Sequence, residues 1–462
     1  MNFTHRSFRP TFDHLEERRV LDGNVAAFVS SGVLVLIGDA AANGLDISQT
    51  GFKQFTLTGL TTTSATNING VANGTFVASN VSSLNVNLSG GDDSLSFGVV
   101  TAAPMTFAGN ASINMGTGNN FVGTAGGKFL SIFGNLSISN GAGACQTDLT
   151  DVNVGGAATL NHLAGGGSNL RIDTSGATPN SFRSLSVVNG VGDDDVRIVD
   201  TNFSSSVSIA NGVDTLTGGD DVFISEQAAG ALLTIGGNLS IASSTIGQAT
   251  IRVNDYNING NLSINTGNGG HNNFVGFYDS STTHLIPTIR GNVSITTAGT
   301  GNVEIDVADG GTPLAILGGL TVNASAATGS VIVHEGSLAT VGNASATGGI
   351  HITTGAGRDD VEIDESGSGS TFNGALFIST GTGDDTVAFN DNAGSATFLF
   401  AAVSVNEGAG NDSLQLGIDG PVNFFKTATF SGGATDVDNT FSEVLANVGG
   451  GVVLPTLIHY HP

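Results

Sequence analysis

Tryptophan is absent from the 462 residues, tyrosine occurs three times, proline eight times and cysteine once. The lone Cys145 excludes an intramolecular disulfide and a thiolate metal cluster. Beside a small residue in a strand-like stretch, it reads as a small buried hydrophobe. No stretch reaches the ~18 apolar residues of a membrane span, so an integral membrane protein is not expected. Basic residues are scarce as well: thirteen Lys and Arg stand against 39 Asp and Glu, for a formal net charge of −26. Four of the thirteen (Arg6, Arg9, Arg18, Arg19) fall in the first nineteen positions, so the rest of the chain is far more acidic than basic. Such a body repels nucleic acid and anionic membranes and favours cations. Simple solubility accounts for the same charge.

What is present is glycine, 69 residues of it, with 26 Phe and an apolar fraction of 39%. A charge-poor chain with this much apolar surface is not of the disordered class. It reads as short strands separated by tight turns. Self-similarity confirms the type. Gly134-Asn-Leu-Ser-Ile138, Gly237-Asn-Leu-Ser-Ile241, Gly260-Asn-Leu-Ser-Ile264 and Gly291-Asn-Val-Ser-Ile295 are near copies. Each alternates apolar and polar residues with the period of a strand.

A glycine-rich turn follows each copy and indexes the unit: Gly91, Gly118, Gly143, Gly167, Gly192, Gly219, Gly247, Gly270, Gly301, Gly329, Gly357, Gly383, Gly410 and Gly433. The mean spacing is about 26 residues, within the range of solenoid repeats. Gly44 and Gly70 extend the series. Four and six residues beyond the index come apolar pairs such as Leu95 and Phe97, Val196 and Ile198, Val361 and Ile363, and Leu414 and Leu416, with an outward residue between them. A third, variable segment, such as Pro313–Leu317, closes the unit. The expected fold is all-β: a parallel, right-handed β-helix (β-solenoid) of about sixteen coils, each of ~26 residues. Inward Phe is expected to form aromatic stacks, having no polar tip to satisfy. Arrays of β-sandwich domains would need repeats of ~100 residues, which are not seen. The expected organisation is a leader over 1–24, the solenoid over 25–441 and a cap or tail over 442–462, with Val444, Leu445, Val452 and Leu454 able to cover the last coil.

The turns carry acids at regular places. Gly408-Ala-Gly-Asn-Asp-Ser-Leu414, Gly381-Thr-Gly-Asp-Asp-Thr-Val387, Gly355-Ala-Gly-Arg-Asp-Asp-Val361 and Gly190-Val-Gly-Asp-Asp-Asp-Val196 are the clearest, with Gly218–Val222 and Gly90–Leu95 weaker. They resemble the repeats-in-toxin calcium motif, Gly-Gly-x-Gly-x-Asp-x-apolar-x. The resemblance implies Ca²⁺ as cofactor, held at Asp93, Asp194, Asp221, Asp359, Asp385 and Asp412 in all-oxygen shells. The departure is that those motifs are tandem nonapeptides, whereas here one occurs per ~26 residues and Asn120 interrupts the acidic series. The alternative is that Asp and Asn hydrogen-bond backbone in the glycine-rich turns.

The segment Leu15-Glu-Glu-Arg-Arg-Val-Leu21 resembles a recurrent N-terminal signature of large secreted planctomycete proteins. That implies export and an extracellular or cell-surface location. A conventional signal peptide is the rival reading, with Val25–Ile37 as its apolar part. Ser30, Ser31 and Gly32 interrupt that run, and Val33-Leu-Val-Leu-Ile37 reads better as the first strand of the solenoid.

Two functions from different classes remain open. One is a non-enzymatic surface, adhesion or matrix rod whose partners are extracellular matrix, cell-envelope polysaccharide or other surface proteins. The other is a polysaccharide lyase or glycoside hydrolase on a β-helix, which would need clustered acids with a nearby base on one face. Asp193–Arg197 and Arg358–Asp360 supply such groups but sit in the repeated turn, and the three tyrosines offer little sugar-stacking surface. No catalytic residue is therefore expected. His271, His284, His334 and His351 lie in different units without ligand spacing, and read as exposed strand or loop residues rather than zinc ligands.

Overall fold

The computed structural model describes residues 23–443 and 456–460, except 62–64, 101–102, 128, 163–165, 177, 214–218, 226–231, 244–246, 271, 278–285, 309–313, 337, 342–347, 365–369, 391–395, 419 and 434–438. Residues 1–22 of the leader expected over 1–24, and the expected capping residues Val444, Leu445, Val452 and Leu454, lie outside the described residues, while Asn24 already belongs to a strand. Among the described residues there is no helix, and the chain is a parallel β-solenoid.

Each coil contributes to three ladders. A leading strand precedes the glycine turn, a trailing strand follows it, and a short third strand returns the chain to the next coil. The repeated Gly-Asn-Leu-Ser-Ile segments stack in the leading ladder in one register: Leu239 over Leu262 over Val293, and Ile241 over Ile264 over Ile295. These side chains are buried and the Ser between them points outward. Fully burying one such Leu or Ile contributes about 1.5–3 kcal/mol, and no coil could do this alone. The recurring Asn of the motif forms a ladder of its own at the corner: Asn261 N–H donates to Asn238 Oδ1 (2.8 Å), and Asn292 N–H to Asn261 Oδ1 (2.8 Å). A backbone donor freed at the corner is thereby satisfied by the neighbouring coil.

The trailing ladder begins at Gly44–Gly51, which pairs parallel with Ser94–Phe97, and ends at Thr440–Glu443. Its sheet has seventeen strands, fifteen in the parallel ladder and two, Gln54–Gly59 and Thr75–Ser79, paired antiparallel at its start. This is fewer coils than the expected sixteen. The reason lies at Gly70: with Asn69 it forms a left-handed turn (φ 50° and 83°) inside an antiparallel pairing of Asn67–Ile68 with Val71–Ala72, not a coil corner. Val33–Ile37 is the first leading strand, parallel to Ser83–Asn87, and Asn24–Ser30 folds back on it antiparallel. At the far end Thr456–Ile458 adds in parallel to Ala428–Ser431.

At ~4.8 Å per rung the trailing ladder is about 70 Å long. Its interior is mainly aliphatic. Among the described residues Phe meets Phe inside in short groups: Phe55 on Phe107 (4.6 Å, 7°), Phe182 tilted against Phe203 (5.8 Å, 40°), and Phe389 with Phe424 and Phe430 edge-on. Many corners between trailing and third strands take a left-handed residue: Asp151, Asp200, Asp255, Asp364 and Asn390, Gly98 and Gly417, and at one corner Ala308. Asp and Asn tolerate that conformation better than other non-glycine residues.

Candidate functional site

The acids of the glycine turns converge on one internal ladder. The trailing-strand register places Asn43, Asp93 and Asn120 in successive coils, then Cys145, Ser168, Asp194 and Asp220, and later Asp359, Asp385, Asp412 and Asn439. All point inward and are buried. Beyond the first rung, Asn43, each Asp or Asn accepts the backbone N–H of the preceding rung: Asn43 to Asp93 (2.8 Å), Asp93 to Asn120 (3.0 Å), Ser168 to Asp194 (2.9 Å) and Asp194 to Asp220 (3.3 Å). The same bond recurs from Val331 to Asp359 (2.8 Å), Asp385 to Asp412 (3.1 Å) and Asp412 to Asn439 (2.9 Å). Of the six acids picked out in the sequence, five occupy this ladder. The sixth position is filled by Asp220, and Asp221 faces outward.

Outer acids of the turns make a coil-to-coil bond of the opposite sense, accepting from the following coil. Asp92 Oδ1 accepts the N–H of Asn119 (2.8 Å), and Asp384 Oδ1 that of Asn411 (2.9 Å). The turn carboxylates thus act first as acceptors for coil-to-coil backbone donors, worth about 1 kcal/mol each net.

Burial makes Asp93, Asp359 and Asp385 of the inner ladder weaker acids, raising the pKa of each. Loss of solvation pushes Asp93 up to about 7 against the opposing hydrogen bonds from Asn43, and Asp385 up to about 6 against those from Asp359 and Thr380. Glu407, at the inward end of the leading strand, is pushed to about 9, first by burial and then by Asp412 and Asp385. Its carboxyl accepts a hydrogen bond from the Tyr460 hydroxyl. Cys145 is buried as expected; burial, and then Asp194, lift its thiol to about 11, so it is unreactive as a nucleophile.

A second group of acids, not singled out in the sequence, sits at the left-handed corners. Asp151 accepts from the Ser175 hydroxyl (2.5 Å) and N–H (2.9 Å), the Thr174 hydroxyl (2.8 Å) and Gly127 N–H (2.6 Å), and together these bonds outweigh burial and hold its carboxyl below the ordinary range. Asp364 accepts from Ser370 N–H (3.0 Å) and from the Thr397 hydroxyl, yet burial leaves it raised. The available signal was an acid one or two residues past the last apolar residue of the trailing strand, as in Ile363-Asp364 and Ile198-Val-Asp200.

The outward face of the trailing ladder is chemically richer. A shallow groove crosses Asp148, Arg171, Asp195, Arg197, Asp221 and Phe223. The Arg197 guanidinium lies 4.8 Å over the Phe223 ring, and Arg252 stands at the same distance over Phe274. Asp195 and Asp221 are register partners, and burial followed by the charges of Asp221 and Asp193 raises Asp195. Asp193 and Asp195 point outward around the inward Asp194, as Arg358 and Asp360 do around Asp359. Further along the same face, His334 Nδ1 lies 3.2 Å from Asp306 Oδ1, and its Nε2 3.7 Å from Glu362 Oε2. His351 instead lies tilted at 41° against Phe377, ring centres 5.9 Å apart, and His271 and His284 lie outside the described residues.

No known protein family matches the chain, nor does any curated protein or solved structure. Among the described residues no helix is long and apolar enough to cross a membrane.

Proposed function

We propose that the chain is a non-enzymatic, exported structural rod that works at the cell surface or in the extracellular matrix, where it meets envelope polysaccharide, matrix or other surface proteins. The observation that carries this reading is the inner ladder: the most regular acids in the sequence are committed to coil-to-coil backbone bonds, as scaffold residues are. Their hydrogen bonding needs no ion. Incubation with a panel of acidic and neutral polysaccharides is expected to release no oligosaccharide; release would overturn the proposal.

Calcium stabilisation of the turns is a separate part of the proposal, inherited from their likeness to repeats-in-toxin motifs. It requires the melting temperature to fall in EDTA and recover with Ca²⁺. An unchanged melting temperature leaves the hydrogen-bonded ladder as the stabilising device.

A second reading, cleavage of a polysaccharide, is favoured by one feature: Asp195 and Asp221 on adjacent rungs beside Arg197, in the groove. Paired acids next to a base on a sheet face are what such chemistry needs. If the panel gives products, their loss in Asp195→Asn would place the reaction there.

A further inference from the structure

Outward positions of the trailing ladder bring together side chains from three successive coils at Glu304, Asp306, His334 and Glu362. The register sets Asp306 directly beside His334, and His334 directly beside Glu362. Glu304 precedes Asp306 by two residues and so shares its face. One ligand atom from each of Glu304, Asp306 and His334 lies within 4.8 Å of the others. Asp306 and His334 are largely withdrawn from solvent, their side chains 10% and 24% exposed, while Glu304 opens to it.

We propose that Glu304, Asp306 and His334 bind a borderline divalent transition-metal ion of the Zn²⁺ class, with Glu362 as the outer partner that orients the imidazole. Three features of the arrangement carry this. An imidazole nitrogen and two carboxylates form a mixed N/O donor set, which suits Zn²⁺ and its neighbours and does not suit Ca²⁺ or Mg²⁺. The imidazole can offer only one nitrogen to an ion. Nδ1 faces Asp306, and Nε2 faces Glu362, the carboxylate–histidine relay that fixes tautomer and raises ligand basicity in metal sites. Three carboxylates around one imidazole also leave the cluster net negative, and a dication relieves their mutual repulsion. Three protein ligands leave a fourth position for water.

The test is calorimetric titration of the untagged full chain with Zn²⁺ in excess Ca²⁺. One saturable equivalent is expected, lost in His334→Ala and weakened about 10- to 100-fold in Glu362→Gln. Asp306→Asn, which keeps the shape of the side chain, is the second variant should His334→Ala fail to fold, and it too is expected to lose the ion. Circular dichroism without metal checks that each variant is folded. Absence of a saturable equivalent, or an equivalent that survives both His334→Ala and Asp306→Asn, overturns the proposal. Unchanged affinity in Glu362→Gln overturns the role given to Glu362.

Discussion

The backbone N–H of Asp359 donates to the carboxylate of Asp385, one coil further on, at 2.9 Å. Both side chains are buried, and the bond repeats along the ladder wherever a rung carries Asp or Asn. A carboxylate placed there serves cohesion between coils, and that fixes what its removal should do.

Asp385→Ala leaves a buried amide without its acceptor and is expected to cost about 1–3 kcal/mol. Asp385→Asn keeps the acceptor, as Asn120, Asn273 and Asn439 already do at equivalent rungs. It is expected to be neutral or stabilising at pH 8. Urea melts of the two variants check this, and equal losses would refute the ladder's role.

Acidity should stabilise the rod over a defined range. Asp93, Asp385 and Glu407 have folded values raised to about 7, 6 and 9 from ordinary values of 3.8, 3.8 and 4.5. The folded state therefore holds more protons than the unfolded one between those limits. Stability from these groups is complete below the unfolded values and is lost as pH rises through the folded ones. The melting temperature is expected to fall from pH 5 to pH 9, and Glu407→Gln should flatten the alkaline part of the curve. A melting temperature that rises across this range would contradict the assignment.

Gly381 and Gly408 stack in successive turns with φ of 94° and 81°, and a Cβ on Gly408 would run into the carbonyl oxygen of Gly381. Gly408→Ala combines a strained φ with a backbone collision and is expected to cost about 2–4 kcal/mol. Ala at the neighbouring position 409 is native, so a loss confined to Gly408→Ala in thermal melts would isolate the close approach.

Tyr460 packs against Phe441 at 6.5 Å and hydrogen-bonds Glu407 across the last coils. Tyr460→Phe keeps the ring and removes the hydroxyl. A loss of about 1 kcal/mol is expected, measured by denaturant unfolding at pH 7; an unchanged midpoint would show that the hydroxyl contributes nothing there.

Much of this architecture was legible because a strand period of two and one glycine per coil fix both face and register. Ile138, Ile241 and Ile264 are buried where the alternation puts them. The errors are single-residue or single-turn slips. Counting from Gly219 chose Asp221, whereas the buried rung is Asp220, and one residue exchanges the two faces of a strand. Gly70 looked like a coil corner because a glycine in an antiparallel turn and one in a solenoid corner satisfy the same left-handed demand. The metal cluster was present in the index itself. Asp306, His334 and Glu362 each lie five residues past Gly301, Gly329 and Gly357, and outward residues at one offset must become neighbours when coils stack. The corner acids were hidden because Asp151 and Asp364 sit outside the glycine motif, at a place past the trailing strand that Gly98, Gly417 and Ala308 fill in other coils.

The near identity of the rungs at Asp359, Asp385 and Asp412 has a consequence for how such a chain can change over generations. Excising residues 384–410 would join Gly383 to Asn411 and set Asp412 where Asp385 had been, so that the amide of Asp359 would meet an acceptor of the same kind. The product would be a rod shorter by ~4.8 Å, a difference that small-angle scattering of a multi-coil deletion series would reveal as a linear fall in length. Failure of such deletions to fold would show that the coils are less interchangeable than their hydrogen bonds. Reach is thus the property that gain or loss of whole units adjusts with least disturbance to the rest of the molecule.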